Sequence, residues 1–367
     1  MNRILSTTFI AAGILLLAIV ELRAQGCVAL RGSGTSCMMP HPEELSADKW
    51  IFNMNTRYFR SYKHFKGREE QKERVELGTE VINHQTAIDL TLTRILNNRW
   101  SVMIDVPLLA NARSSLYEHG LVNGVNNYNE RHSMHSYGLG DIRMAVYRWL
   151  LDPAKHSRYN IQAGLGIKFA TGDYDYQDYW YNVGPDGAKE LRTVDQSIQL
   201  GDGGTGLTAE LNAFYSLNNR LGMYANGYYL LNPREQNGTR TYRETLTPAL
   251  ANEAISSVPD QYMFRAGFNY MTSRITGSLG ARLEGIPVND LVGGSGDFRR
   301  PGYVWSVEPS IAYRIKKVSL YASVPVAFVR NRTQSVTDKA RSTATNKVNG
   351  DAAFADYVIN AGFSVRF

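Results

Sequence analysis

The chain ends in Tyr357-Val358-Ile359-Asn360-Ala361-Gly362-Phe363-Ser364-Val365-Arg366-Phe367, where every second residue is apolar. Tyr357, Ile359, Ala361, Phe363, Val365 and Phe367 share one side, and Asn360, Gly362, Ser364 and Arg366 lie on the other. A period of two predicts a strand with one apolar and one polar face. The strand runs to an aromatic at the last residue, with nothing after it to cover the apolar face. A soluble domain rarely leaves such a face bare, whereas a lipid bilayer is the solvent that face prefers.

The same alternation recurs along the chain. It predicts strands over 50–59, 86–96, 100–106, 139–149, 159–169, 206–215, 221–231, 261–270, 275–284, 303–314, 318–330 and 354–367. In 159–169, for example, Tyr159, Ile161, Ala163, Leu165, Ile167 and Phe169 oppose Asn160, Gln162, Gly164, Gly166 and Lys168. Short turns such as Asn97-Asn98, Asn218-Asn219-Arg220 and Lys316-Lys317 alternate with long polar connections near 60–84, 110–137, 170–204, 232–260, 285–302 and 331–352. Twelve is an even number, and most segments approach the length a tilted membrane strand needs. Soluble sandwiches also alternate, so the argument rests on the combination of even strand count, turn–loop asymmetry, the terminal Phe367 and the expected secretory signal at 1–24. The expectation is an all-β fold: a transmembrane antiparallel β-barrel of 12 strands over 49–367, with short periplasmic turns and long extracellular loops.

The first residues read as a secretory signal: Asn2-Arg3, an apolar stretch from Ile4 to Val20, and a small residue, Ala24, for cleavage. The dense apolar part is short for a membrane helix, and Ala24-Gln25-Gly26-Cys27 only loosely imitates a lipidation signal. Residues 25–48 form an irregular segment that holds both cysteines, Cys27 and Cys37. In an oxidising compartment they can close a small disulfide loop, free or lipidated thiols being the alternatives. The segment is a candidate plug. The formal charge of +6 becomes +5 once 1–24 is removed, a mild basic excess without the basic–aromatic clustering of nucleic-acid binders. Tyrosine, at 22 residues, is abundant and suits membrane interfaces.

The polar faces carry charges of both signs: Arg57, Asp89, Asp105, Asp141, Arg143, Lys168, Glu210, Arg265, Arg282, Glu284, Glu308, Asp356 and Arg366. In a barrel they would point into the lumen, either as a polar path for a solute or as an internal ion-pair network that fills it. The third long connection alternates acids (Asp173, Asp175, Asp178) with aromatics (Tyr174, Tyr176, Tyr179, Trp180, Tyr181). Three uses are open: contact with a ring-bearing ligand, calcium through the carboxylates, or simple folding of the loop onto the rim. His132-Ser133-Met134-His135-Ser136 offers nucleophile and base types but no third orienting group. We therefore assign no catalytic residues, no metal and no cofactor.

Several strings carry a family resemblance: Tyr137-Gly138-Leu139-Gly140-Asp141, Phe169-Ala170-Thr171-Gly172-Asp173-Tyr174, Gln199-Leu200-Gly201-Asp202-Gly203-Gly204, Gly285-Ile286-Pro287-Val288-Asn289-Asp290-Leu291 and Arg299-Arg300-Pro301-Gly302-Tyr303. In this order, from about Asn83 to the end, they resemble the outer-membrane proteins grouped under the meta-pathway of phenol degradation, which are fatty-acid-transporter-like channels. The family usually has Leu-Pro-Thr-Gly where this chain has Phe169-Ala170-Thr171-Gly172. The terminal Phe367 is similar to the ending by which bacterial barrels are passed to their insertion machinery. The resemblance implies an outer-membrane location, lipid and insertion machinery as partners, and passive uptake of small hydrophobic or aromatic solutes. A closed docking barrel, with loops that bind a partner, is the alternative. The Gly/Asp strings also have a plain structural reading as strand-to-loop transitions.

Overall fold

The computed structural model describes residues 49–116, 119, 130–241 and 246–367. The expected signal 1–24, the segment 25–48 and the Cys27–Cys37 pairing lie outside them.

Twelve antiparallel staves close into a barrel. In chain order they are β1 (Trp50–Lys66), β2 (Ile82–Ile95), β3 (Trp100–Ser115), β4 (His132–Leu139 with Arg143–Trp149), β5 (Tyr159–Lys168), β6 (Gly206–Ser216), β7 (Leu221–Leu231), β8 (Gln261–Met271), β9 (Ile275–Ile286), β10 (Gly302–Ile315), β11 (Val318–Ser323 with Val326–Asn331) and β12 (Ala352–Arg366). Each pairs with its neighbour in sequence, and β12 returns to β1 with Ile51 opposite Arg366 and Phe59 opposite Val358. Trp50 and Phe367 exchange two backbone bonds at the closing seam, 2.9 and 3.0 Å. Closure gives the backbone donors and acceptors of the first and last strands partners, as hydrocarbon demands.

Side chains sort by parity. Leu165, Leu211, Phe268, Leu279 and Ile311 point outward and are 53 to 72% exposed. Below this band the short-turn end carries Trp100, Tyr159, Tyr215, Tyr270 and Tyr313, also exposed. This is the apolar belt with an aromatic girdle that a bilayer selects. The inward positions are polar and buried: Asn53, Asn55 and Arg57 on β1, Thr208 and Glu210 on β6.

Glycine permits two close approaches inside. The ring of Tyr147 lies over Gly164 on the adjacent strand, where a Cβ would come within 2.5 Å of it. Tyr321 lies over Gly362 in the same way, and its hydroxyl donates to Asn53 Oδ1 at 2.9 Å.

Several predicted strands stop too early. β1 runs to Lys66 rather than residue 59, β2 begins at Ile82 rather than 86, β3 reaches Ser115 rather than Val106, and β4 begins at His132 rather than 139. Across these extensions the outward row is Arg60, His84, Ala112 and His135. Arg60, His84 and His135 remove the apolar half of the alternation, and in Pro107-Leu108-Leu109-Ala110 both faces are apolar, so the period fades while the backbone ladder continues. The His132–Ser136 string, expected in a loop, therefore belongs to β4.

Two staves are interrupted. β4 breaks at Gly140–Ile142, and its upper piece pairs with β3 alone, because β5 ends at Lys168 opposite Arg143. β11 breaks at Val324–Pro325, and its upper piece pairs with β10, while its backbone ladder to β12 is limited to Val326–Tyr357 and Arg330 bridges the gap to Ala355 O at 2.9 Å. Both seams lie toward the long-loop end.

Replacing Gly362 with valine forces atoms against Met54 O and the Tyr321 ring. We expect a loss of about 1–3 kcal/mol, read as a lower urea midpoint for unfolding from lipid vesicles. Gly277, with nothing near its Cβ position, should tolerate alanine with a much smaller change.

Candidate functional site

Hydrogen bonds cross the lower lumen from strand to strand. Asn212 donates to Gln162 (3.3 Å), Asn226 to Asn212 (2.9 Å), and Arg265 Nε to Asn226 (2.9 Å). Arg265 and Arg282 approach Glu308 at 3.5 and 3.8 Å. Ser323 donates to Glu308 at 3.2 Å, and Asn360 to Ser323 at 3.2 Å. The chain of contacts runs from β5 to β12. Arg282 also holds Glu284 at 2.7 Å. Above this belt Arg143 binds Glu210 at 2.9 Å, and Tyr147 donates to the same carboxylate oxygen at 3.0 Å. Buried charges need such partners.

Of the thirteen charged positions singled out above, Arg57, Asp89, Asp105, Asp141, Arg143, Lys168, Glu210, Arg265, Arg282, Glu284 and Glu308 are buried. The other two differ. Asp356 sits at the bulge where the β1–β12 register shifts, its side chain is 28% exposed, and it takes Lys63 at 3.0 Å and Arg330 at 2.6 Å. Arg366 is half-buried at the short-turn end of β12.

The glycine–aspartate strings converge at the broken end of β4. Asp141 accepts from Gly172 N at 3.0 Å and from Lys168 at 3.2 Å, and Lys168 also binds Asp202. Gly172 and Gly201 touch backbone to backbone, and a Cβ on Gly201 would fall 2.6 Å from both Asp141 Oδ1 and Gly172 O. Asp290, from the fourth string, receives both Arg299 nitrogens at 2.8 and 2.7 Å.

The segment after Asp195 folds into the barrel mouth. Gln85 on β2 donates to Ser197 O at 2.6 Å, and Ser136 on β4 donates to Ile198 O. Ile198 is fully buried beside Met134, Trp180 and Val194. Asp195 fixes the segment: Arg300 binds it through two nitrogens, 2.8 and 2.7 Å, and Arg113 on β3 lies 3.5 Å away. Burial alone would raise this carboxyl, but Arg113 and Arg300 outweigh it and hold it far below the usual carboxylate range.

Beneath this segment lies a cavity of about 180 Å3. Phe59, Leu109, Tyr228 and Ile286 supply apolar wall, while Arg57, Asp105, Arg143 and Lys168 supply charge. Gln85, Gln199 and Gln261 add amides. Gln196 and Ser197 of this lining were not singled out from the sequence, and Arg300 stood out only as part of the fifth string, because nothing local marks a segment that turns inward.

The aromatics of the third loop mostly pack against protein. Trp180 is buried and donates to Thr193 O at 3.1 Å, with Tyr176 packed on the same cluster. Tyr174 lies beneath Arg234, and Tyr181 stacks on His132 at 4.2 Å. Tyr179 is exposed beside Lys189. The three aspartates do not converge: Asp173 binds Asp175 N, Asp175 binds Thr193 Oγ1, and Asp178 binds His135 N. Ser136 faces inward to Ile198 and Asn111, and Ser133 lies on the opposite face of β4.

His119 is buried against His132, Trp180 and Tyr181, and its Nδ1 accepts from Tyr181 N at 3.1 Å. Burial, and then the neighbouring His132, lowers its pKa to about 4. The folded value lies below the unfolded one, near 6.5. Its contribution is therefore complete above pH 6.5 and is lost as pH falls toward 4. Hydrogen exchange at the Tyr181 amide, corrected for intrinsic rate, should accelerate across that window and lose its pH dependence in His119→Gln. Asp195→Asn removes the buried carboxylate charge shared by Arg113 and Arg300 and should cost about 3–5 kcal/mol, measured by urea unfolding.

No family model matches the chain, and no curated protein matches it. Among solved structures, an outer membrane channel from Pseudomonas putida F1 superposes with a TM-score of 0.57 at 9% identity, covering 92% of this chain and 100% of that one. A toluene transporter from P. putida aligns over 95% of this chain and 99% of its own at 10% identity, with a TM-score of 0.41 that adds nothing further. At such identity the first likeness speaks to fold alone, and it agrees with the belt and closure described above: the chain folds as a bacterial outer-membrane β-barrel.

Proposed function

We propose that the protein is an outer-membrane channel for passive passage of small solutes, and that a solute rests in the upper-lumen cavity. The space between the inward-folded 195–202 segment and the charged lumen floor is the observation that carries this reading. Its size suits a single small molecule. Its lining, aromatic and aliphatic on one part and guanidinium, ammonium, carboxylate and amide on another, suits a solute with an apolar or aromatic body and one polar group. A wholly apolar solute gains nothing from the bonded belt below and would leave through a seam in the upper wall, beside β5 or β12.

A closed barrel with docking loops is favoured by one observation, the run of hydrogen bonds across the lower lumen from β5 to β12. Liposome swelling separates the two. The channel reading predicts faster swelling with small phenolic or aromatic carboxylate solutes than with disaccharides. It also predicts that Asp195→Ala, which unties the inward segment from Arg300 and leaves Arg113 holding it only through Ser197 Oγ, raises the rate severalfold for both solute classes. Absence of flux for every solute in wild type and variant supports the closed barrel.

A further inference from the structure

The short-turn end of the barrel is basic almost without exception. Across the five turns 94–100, 148–159, 216–221, 271–275 and 313–318 there are ten lysines and arginines and one acid, Asp152. The long-loop end lacks this bias: residues 66–80 alone carry four basic and five acidic side chains. In outer-membrane barrels the short turns face the periplasm.

The arginines of this collar sit on the aromatic girdle. Arg94 lies over the Trp50 ring at 4.7 Å, Arg148 over Trp100 at 5.1 Å, and Arg158 over Tyr215 at 5.7 Å. Arg94 and Arg148 are on the outward parity of their strands, opposite Trp50 and Trp100. They therefore continue the lipid-facing row at its periplasmic edge. Girdle aromatics settle at the depth of the headgroups. A guanidinium stacked by its face leaves its edge donors free in direction, in the fork that matches phosphate oxygens. Arg158 is oriented further by bonds to Ser216 O and Leu217 O.

We propose that this collar binds the headgroup phosphates of anionic phospholipid in the periplasmic leaflet, with Arg94 and Arg148 as its lipid-facing contacts. A soluble acidic protein fits less well, because these two side chains lie against the girdle beside the apolar belt rather than out on the turns. The collar fixes the height of the barrel in the membrane and selects its lipid annulus whether or not the lumen conducts.

The test uses the tryptophans beneath the arginines. The folded protein is placed in phosphatidylcholine vesicles that contain either brominated phosphatidylglycerol or brominated phosphatidylcholine, and quenching of tryptophan fluorescence is compared at equal mole fraction. The expected result is a relative affinity for the anionic lipid of about fivefold per arginine engaged. That preference should fall toward unity in R94Q/R148Q, survive in R94K/R148K, and be unchanged in Arg60→Gln at the other end. Heat-modifiable gel mobility verifies that each variant is folded. Equal quenching by both lipids in wild type, or a preference untouched by R94Q/R148Q, overturns the proposal. Solute flux does not enter the readout, so a barrel that passes nothing still gives a decisive answer.

Discussion

Hydrocarbon offers no hydrogen bonds, and that one constraint organises the molecule. A sheet placed in lipid must close, because an open edge would leave a row of unpaired amides and carbonyls. The β1–β12 pairing provides the closure, over a register that reaches from Ile51–Arg366 past Phe59–Val358. Closure fixes parity, and parity fixes chemistry. Every outward position within the belt is solvated by acyl chains, so Leu165 and Leu211 are stable while exposed. Inward positions must then build an interior without the help of a conventional apolar core.

That interior is made largely of polar groups, many of them bonded to one another. A soluble protein of this size would centre on a large apolar cluster. Here the buried clusters are small and lie mainly at the long-loop end, such as Met134, Trp180, Val194 and Ile198. The lower lumen is held by amides, arginines and carboxylates. Such a network is costly to disturb, since removing one partner leaves a buried charge behind. The cavity lies above it. The inward segment, latched by Asp195 between a barrel strand and a neighbouring loop, roofs the cavity.

The barrel was legible in the sequence because lipid imposes a period of two. All twelve staves appear where the alternation places them, and the short turns fall between the expected pairs. The missing parts lie where that period fails. Beyond Phe59 the outward row turns polar at Arg60, His84 and His135, and beyond Val106 both faces are apolar through Ala110, so the pattern that marks a strand fades. The Gly/Asp strings were visible as transitions. Their meeting at Asp141, Lys168 and Asp202 was not, because no local pattern states which loop folds inward. Asp356 shows the same limit in reverse: its parity matched the lumen set, and the bulge on β12 gave it rim partners instead.

The most direct test places lysine, one site at a time, at outward positions of the belt and measures unfolding from lipid vesicles in urea. Leu165→Lys, near the middle of β5, should cost about 2–4 kcal/mol, and a lysine at Tyr159, near the girdle, about 0–1 kcal/mol. That depth profile is the signature of a surface dissolved in lipid. A uniform change within about 0.5 kcal/mol at both sites, as on the surface of a water-soluble protein, would contradict the account.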